Sequence, residues 1–297
     1  DGRRGAGKEC GMKKILIQFD SDRQAAVFDA VTAYDAGIDA LLQYGDVRPE
    51  EVRDLVYGAM FTRGPGDLKN TAVFIGGIDV AKGEALLKEA VGALFDPLRV
   101  SVMLDANGCN TTAAAAVVKV IRSTPVAGQK VVVLAGTGPV GQRTAGLLAA
   151  EGAEVVLTSR TVERAEAASA AVKERFGVDV SAAAVADLAA TRQVLEGARA
   201  VVCTGVEGVQ LIPEDLWRSH ETLQVLADVN AVPPLGVEGT KATWNGKEID
   251  GKLVFGALGI GDLKMKVHKR SVARLFEQND LVLDAEGIMA TAKELAG

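Results

Sequence analysis

The chain has 297 residues, 33 Lys and Arg against 39 Asp and Glu (net charge −6), 48% apolar and only 4% aromatic residues, and 33 glycines. That length holds two domains with a core each, and an acidic chain poor in aromatics lacks the basic stripes and stacking platforms of an open nucleic-acid surface. No apolar run reaches the ~18 residues of a membrane helix, and the apolar content is too high for disorder.

Residues 1–11 read as a disordered leader or a vector-derived remnant. Gly2 to Lys8 matches part of a phosphate-binding loop, but Glu9 stands where a Ser or Thr would reach magnesium, and no strand precedes it. From Met12 onward, apolar strands alternate with helices. Strands are expected at Lys13–Phe19, Thr71–Ile75 and Val100–Leu104, and helices at Ala25–Tyr34, Pro49–Met60 and from about residue 78 to Leu94. A helix over Thr112–Ile121 then leads into a second domain. There the expected strands are Val131–Ala135, Glu154–Leu157, Ala200–Cys203, Gln224–Leu226 and Val254–Leu258, with helices at Val140–Glu151, Val162–Phe176 and Leu263–Phe276. Ala231–Leu253, with Pro233-Pro234 and several glycines, reads as an irregular connection. A last helix, Ala285–Leu295, is long enough to return to the first domain. The expected fold is α/β: a domain over residues 12–111 rejoined by 284–297, and a nucleotide domain over 112–283, with an interdomain cleft.

The strongest motif is Val131-Val-Val-Leu-Ala followed by Gly136, Thr137, Gly138, Pro139, Val140 and Gly141. It is a strand entering G-x-G-x-x-G and then a helix, the context of a Rossmann-type dinucleotide site. The first glycine makes the turn, the second admits the pyrophosphate and the third lets helix and strand pack closely. The helix N-terminus offers unpaired N–H groups to the anion.

The end of the following strand selects the coenzyme. An NAD site carries an acidic residue about 20 residues on; here Ser159 stands 23 after Gly136, followed by Arg160 and Arg164. Guanidinium groups bind a 2′-phosphate through charge-assisted hydrogen bonds. NADP is therefore expected, with NAD also admitted because nothing acidic blocks it.

Ligands of open α/β sheets lie beyond the carboxyl ends of the strands. In the first domain that rule collects Asp20, Ser21, Gly76, Gly77, Asp105, Asn107, Asn110 and Thr111. In the second it adds Thr204, Asp228, Asn230 and Gly256 on the coenzyme side, and Lys264. Cys10, Cys109 and Cys203 are scattered and odd in number, and only His220 and His268 are present. No metal site or disulfide is expected, and a reducing, cytoplasmic compartment is.

Five segments carry a resemblance: Leu16-Ile-Gln-Phe-Asp20-Ser-Asp, Met103-Leu-Asp105-Ala-Asn-Gly-Cys-Asn110-Thr-Thr, Leu134 to Gly141, Ala227-Asp-Val-Asn230-Ala-Val-Pro-Pro-Leu-Gly236, and Phe255-Gly-Ala-Leu-Gly-Ile-Gly261-Asp-Leu-Lys264. In these the chain resembles the NADP-dependent methylene-tetrahydromethanopterin/methylene-tetrahydrofolate dehydrogenases of methylotrophic bacteria and their relatives. The resemblance implies a homo-oligomer, trimeric or hexameric, acting on a tetrahydromethanopterin or tetrahydrofolate one-carbon carrier. Hydride would leave the methylene carbon and a methenyl cation would form. The nitrogen lone pair supplies the push, so the protein orients two rings and tolerates developing positive charge. Asp20 or Asp105 would offer the negative field; Ser21, Asn107, Asn110 and Thr111 would position the pterin; and Lys264 would bind a carbonyl or carboxylate. The Tyr-x-x-x-Lys pair of the folate dehydrogenase/cyclohydrolases is missing, since Tyr44 is followed by Arg48, so no cyclohydrolase is expected. Two other readings are a shikimate-dehydrogenase-like enzyme, suggested by Ser159-Arg160-Thr161-x-x-Arg164, and a non-catalytic dinucleotide sensor.

Overall fold

A computed structural model of the chain describes residues 11–297. The expectation for residues 1–11 falls, but for Gly11, outside the described residues. In chain order the first elements are β1 (Ile15–Asp20), α1 (Val27–Asp35), β2 (Ala40–Tyr44), α2 (Pro49–Met60), β3 (Thr71–Gly76), α3 (Val80–Ala93) and β4 (Ser101–Leu104). Next come α4 (Cys109–Ser123), β5 (Lys130–Leu134), α5 (Pro139–Ala150), β6 (Glu154–Ser159), α6 (Val162–Phe176), β7 (Ser181–Ala184), α7 (Leu188–Leu195) and β8 (Ala200–Cys203). The chain continues through α8 (Glu214–Arg218), β9 (Val225–Asp228), β10 (Asn245–Ile249), β11 (Lys252–Phe255), α9 (Ala257–Arg274), β12 (Val282–Leu283) and α10 (Ala285–Ala296).

The chain divides into two compact units. One is built by the chain up to Asn107 with Lys269–Leu283, the other by Gly108–His268 with Asp284–Gly297. The C-terminal helix therefore belongs with the second unit, not with the first as the sequence reading has it. The cause is packing within that unit: α4 presents buried Ala113, Ala114, Ala115 and Ala116, and α10 lies along it with Ala285, Ile288, Met289 and Ala292 buried. Small side chains let two helix backbones approach closely. The segment that returns to the first unit is instead the end of α9 with β12.

The first unit is a parallel sheet in the order β12-β4-β3-β1-β2. Strands β3 and β4 are buried along their whole length, as continuous apolar runs of a parallel sheet covered on both faces must be. Strand order reverses between β1 and β3, where Asp20 lies opposite Gly76.

The second unit is a seven-stranded sheet in the order β10-β11-β9-β8-β5-β6-β7, parallel except for β10 at the edge. Its order reverses between β5 and β8. Val132, Leu134, Val201, Cys203 and Leu226 from its strands pack with Trp217 and Leu216 of α8. The expected irregular connection Ala231–Leu253 contains β10 and the start of β11, joined as a hairpin over Asp250 (φ 49°) and Gly251 (φ 74°). Two successive left-handed residues form the mirror-image turn that matches strand twist. The helix expected from Leu263 already begins at Ala257.

Candidate coenzyme site

The site is built around the end of β5, whose Val131, Val132 and Val133 are fully buried. The chain leaves the strand through Ala135, a non-glycine residue at φ 53°. Thr158 at the end of β6 holds that strained turn: its Oγ1 accepts from Ala135 N at 3.1 Å, and its carbonyl accepts from Gly136 N at 2.9 Å. Pro139 opens α5 at its first helical position, where a missing N–H costs nothing. Gln142 Nε2 donates to Thr137 O at 2.7 Å and ties the loop to the helix.

The glycines serve different ends. A Cβ on Gly141 would lie 2.5 Å from Gly136 Cα and O, so helix and turn meet at a distance only glycine allows. A Cβ on Gly138 would meet nothing within 4 Å. The first turn of α5 thus presents its unpaired N–H groups and positive dipole end to open space, as an anion site requires.

Beside this turn lies a cavity of about 380 Å³, within the usual range of ligand pockets. Thr137, Gly138, Ser159, Arg160, Arg164 and Thr204 line its polar side, and Val185, Val206, Val209 and Leu211 its apolar wall. Ser159 is buried at the end of β6, where a dinucleotide's ribose hydroxyls arrive. Arg160 and Arg164 are exposed, and neither guanidinium is in an ion pair among the described residues. Thr161 between them caps α6. Two uncompensated cations, a free helix N-terminus and an apolar wall fit an adenine dinucleotide carrying a 2′-phosphate.

Asp228, Asn230 and Gly256 are not brought to this cavity. Asp228, 2% exposed, accepts from Asn230 N at 3.0 Å and from Val237 N at 3.2 Å. Burial pushes its carboxyl up from the ordinary value, against the pull of the N–H groups of Asn230, Val237 and Gly236. Asn230 donates to Pro234 O at 3.2 Å and accepts from Val232 N at 2.9 Å. Both residues fasten the proline-containing loop after β9. Gly256 is a packing glycine, since its Cβ would lie 2.3 Å from Lys241 O.

In the first unit, Asp20, Ser21, Asp105 and Asn107 do collect at the carboxyl ends of β1, β3 and β4. Asp20 is fully buried; it accepts from Asp22 N and Ala26 N at 2.9 Å each and so organises the loop after β1. Ser21 Oγ is buried without a hydrogen-bond partner among the described residues and would lie 2.5 Å from a Cβ on Gly77. Asp105 is buried, and Asn107 is exposed at φ 51° with its N–H donating to Gly77 O at 2.7 Å.

Asn110, Thr111 and Lys264 lie in the second unit. Thr111 is buried and its hydroxyl donates to Gly108 O at 3.3 Å. Lys264 is half-buried on α9, its ammonium against Gly108. Asn110 is fully buried: its Oδ1 accepts from Arg143 Nε, and its Nδ2 donates to Asp284 Oδ1 at 2.9 Å. Asp284 also binds Arg175, which pairs with Glu286 at 2.8 Å. Hydrogen bonding to Glu286 is the largest cause holding the Arg175 guanidinium pKa above its ordinary value. Asn110 therefore joins α4, α5, α6 and α10 and is a structural hub. Sequence reasoning missed Arg143, a buried cation whose Nη1 donates to Pro139 O at 3.4 Å; the available signal was a charge on the otherwise apolar, buried face of α5.

The family model for the methylene-tetrahydromethanopterin dehydrogenase N-terminal region matches residues 27–107. The chain is 49% identical over 286 residues to the bifunctional protein MdtA of Methylorubrum extorquens, covering 96% of this chain and 99% of that one. It is 32% identical over 297 residues to the NAD(P)-dependent methylenetetrahydromethanopterin dehydrogenase of the same organism, with the same coverage of 96% and 99%. Among solved structures, the shikimate 5-dehydrogenase of Listeria monocytogenes in complex with shikimate and NAD matches with a TM-score of 0.50 at 13% identity, over 97% of each chain. At that identity the likeness is one of fold alone.

Proposed function

The chain belongs to the methylene-tetrahydromethanopterin dehydrogenase family, and from that premise we infer its reaction. It is an NAD(P)-dependent oxidoreductase that takes hydride from the methylene carbon of methylene-tetrahydromethanopterin and leaves the methenyl product, a step of one-carbon metabolism. The observation that carries the coenzyme half is the pyrophosphate turn beside two uncompensated arginines. When bound, NADP would supply the hydride acceptor. The N–H groups at the start of α5 would hold the pyrophosphate, Arg160 and Arg164 would hold the 2′-phosphate, and the valines and Leu211 of the cavity wall would exclude water. NADP is accordingly the preferred coenzyme.

We place the carrier at the first unit's switch point, where Ser21 and Asn107 would offer polar contacts to the pterin. Asp20, sealed by backbone N–H groups, and buried Asp105 act on the reacting carbon through their fields. Lys264 is assigned a carbonyl or carboxylate of the substrate. No general acid or base is needed, because the nitrogen lone pair expels the hydride. We assign no cyclohydrolase activity: Tyr44 lacks a lysine partner, and Arg48 at that spacing is engaged by Glu51 at 3.0 Å. A homo-oligomer, trimeric or hexameric, suits the exposed Val27, Phe28, Val31 and Tyr34 of α1 and Leu42 and Tyr44 of the edge strand β2; sedimentation velocity reads it.

The test incubates the full chain with NADP and either methylene-tetrahydromethanopterin or methylene-tetrahydrofolate, following methenyl absorbance. Methenyl product accumulating with the first carrier is expected, and its absence with both carriers refutes the reading. Formyl product formed enzymatically refutes the assignment of a dehydrogenase alone. The same assay on Asp20→Asn and Asp105→Asn reads the field as a fall in kcat; unchanged rates in both remove it from the mechanism.

A further inference from the structure

We propose that Gly108 is the seat of Lys264: the missing side chain at this position is what fixes the ammonium against the first turn of α4. The inference rests on the role given to Lys264 above. Gly108 has φ 58°, and the simplest account of such a glycine is its backbone angle. That account is incomplete here, because Asp46 (φ 54°), Asn107 (φ 51°) and Asp250 (φ 49°) hold nearly the same angle with side chains attached. Asn and Asp visit the left-handed region readily, and the residue next to Gly108 is one of them.

Gly108 supplies space as well as torsion. A Cβ there would lie 3.1 Å from Lys264 Nζ and 3.2 Å from Cε. By contrast, Gly128 (φ 67°), Gly177 (φ 68°), Gly197 (φ 70°) and Gly251 (φ 74°) would place a Cβ within 4 Å of nothing. Thr111 Oγ1 lies 4.0 Å from the same point and donates to Gly108 O at 3.3 Å, holding in place the peptide beside the ammonium. A lysine stem carries much rotamer freedom, and a group that must meet a substrate oxygen in one place works only when that freedom is removed beforehand. Gly108, with Thr111, is a positioning residue for Lys264.

The experiment uses Gly108→Asn, which keeps a side chain suited to the backbone angle but fills the ammonium's place, with Gly128→Asn as control. Each full-length variant is labelled with a lysine-acetylating reagent, and Lys264 modification is read by peptide mass spectrometry against the other lysines. Lys264 in Gly108→Asn is expected to label several-fold faster, kcat to fall about tenfold and KM for NADP to stay within about twofold; Gly128→Asn changes none of these. Gly108→Ala, with a Cβ alone, gives a smaller change of the same sign and serves if the Asn variant does not fold. In a Lys264→Met background, Gly108→Asn removes no further kcat, because both changes act through one group. Unchanged labelling overturns the proposal, as does a full, additive loss in the Lys264→Met background. Faster labelling with Lys264→Met fully active leaves the seat standing and overturns instead the role assigned to Lys264.

Discussion

Replacing Gly138 and Gly141 separately with alanine divides the coenzyme turn into its two physical demands. At Gly141 the added methyl would sit 2.5 Å from Gly136 Cα and O and 2.6 Å from Gly136 C. Carbon contacts settle near ~3.5–4 Å, so turn and helix must part by about 1 Å. Overpacking of this kind costs about 1–3 kcal/mol, and the upper end applies because the obstacle is backbone. At Gly138 the backbone (φ −79°, ψ 169°) suits any residue and nothing lies within 4 Å. Alanine loses up to ~1 kcal/mol of N-cap preference there and regains ~0.4–1 kcal/mol by restricting the unfolded chain. The folded protein is therefore nearly unchanged in stability, but the methyl projects where the pyrophosphate must approach. Losing one charge-assisted hydrogen bond, about 1.5–3 kcal/mol, weakens NADP binding roughly 10- to 150-fold. Thermal unfolding of the coenzyme-free variants and calorimetric titration with NADP read the two effects. Gly141→Ala should unfold at clearly lower temperature. Gly138→Ala should unfold like the parent but lose most of the stabilisation that added NADP confers. Parental NADP affinity in Gly138→Ala, or a parental unfolding temperature in Gly141→Ala, refutes the division.

Arg160→Ser with Arg164→Ser removes about 1–2 kcal/mol of NADP binding once solvent exposure is discounted, roughly 5- to 30-fold in KM, and leaves NAD within about twofold. Steady-state kinetics at two salt concentrations check this, and the loss should shrink as salt rises. His220 introduces a pH dependence of stability: burial holds its imidazole below the ordinary 6.5, and its neutral Nδ1 accepts from Leu223 N at 3.4 Å. The unfolded chain then binds more protons between the lowered value and 6.5, so this contribution is complete above 6.5 and is lost as pH falls through the window. Urea unfolding between pH 7.5 and 5 should show that loss in the parent and a flatter dependence in His220→Asn.

Much of the fold is legible because parallel strands buried on both faces are unbroken apolar runs, as in Thr71–Gly76 and Ala200–Cys203. The elements missed lie where that signal fails. β7 is Ser-Ala-Ala-Ala, without a β-branched residue, and β2 is a partly exposed edge strand. The hairpin of β10 and β11 was within reach, since Asp250-Gly251 is a strong short-range hairpin signal. The candidate site divides in the same way. Gly136 to Gly141, with Ser159, Arg160 and Arg164 at the end of the next strand, follow from a strand–turn–helix–strand pattern that is local, and Thr204 follows from its place at the end of β8. Asp228 and Asn230 look no different in sequence from cavity residues. Only the return of Val237 and its neighbours to the end of β9 shows their hydrogen bonds turned inward on their own loop.

From the sequence by itself come the alternating α/β order, the glycine turn with Arg160 and Arg164 after the next strand, and the family, because each depends on residues close together along the chain. The tertiary structure alone decided that α10 packs on α4, that Asn110 is a hub bound to Arg143 and Asp284, and that Gly108 makes room for Lys264. Those facts join residues up to 174 positions apart, and whether a buried polar group serves a ligand or the fold is settled only by which distant partner the chain brings within hydrogen-bonding distance.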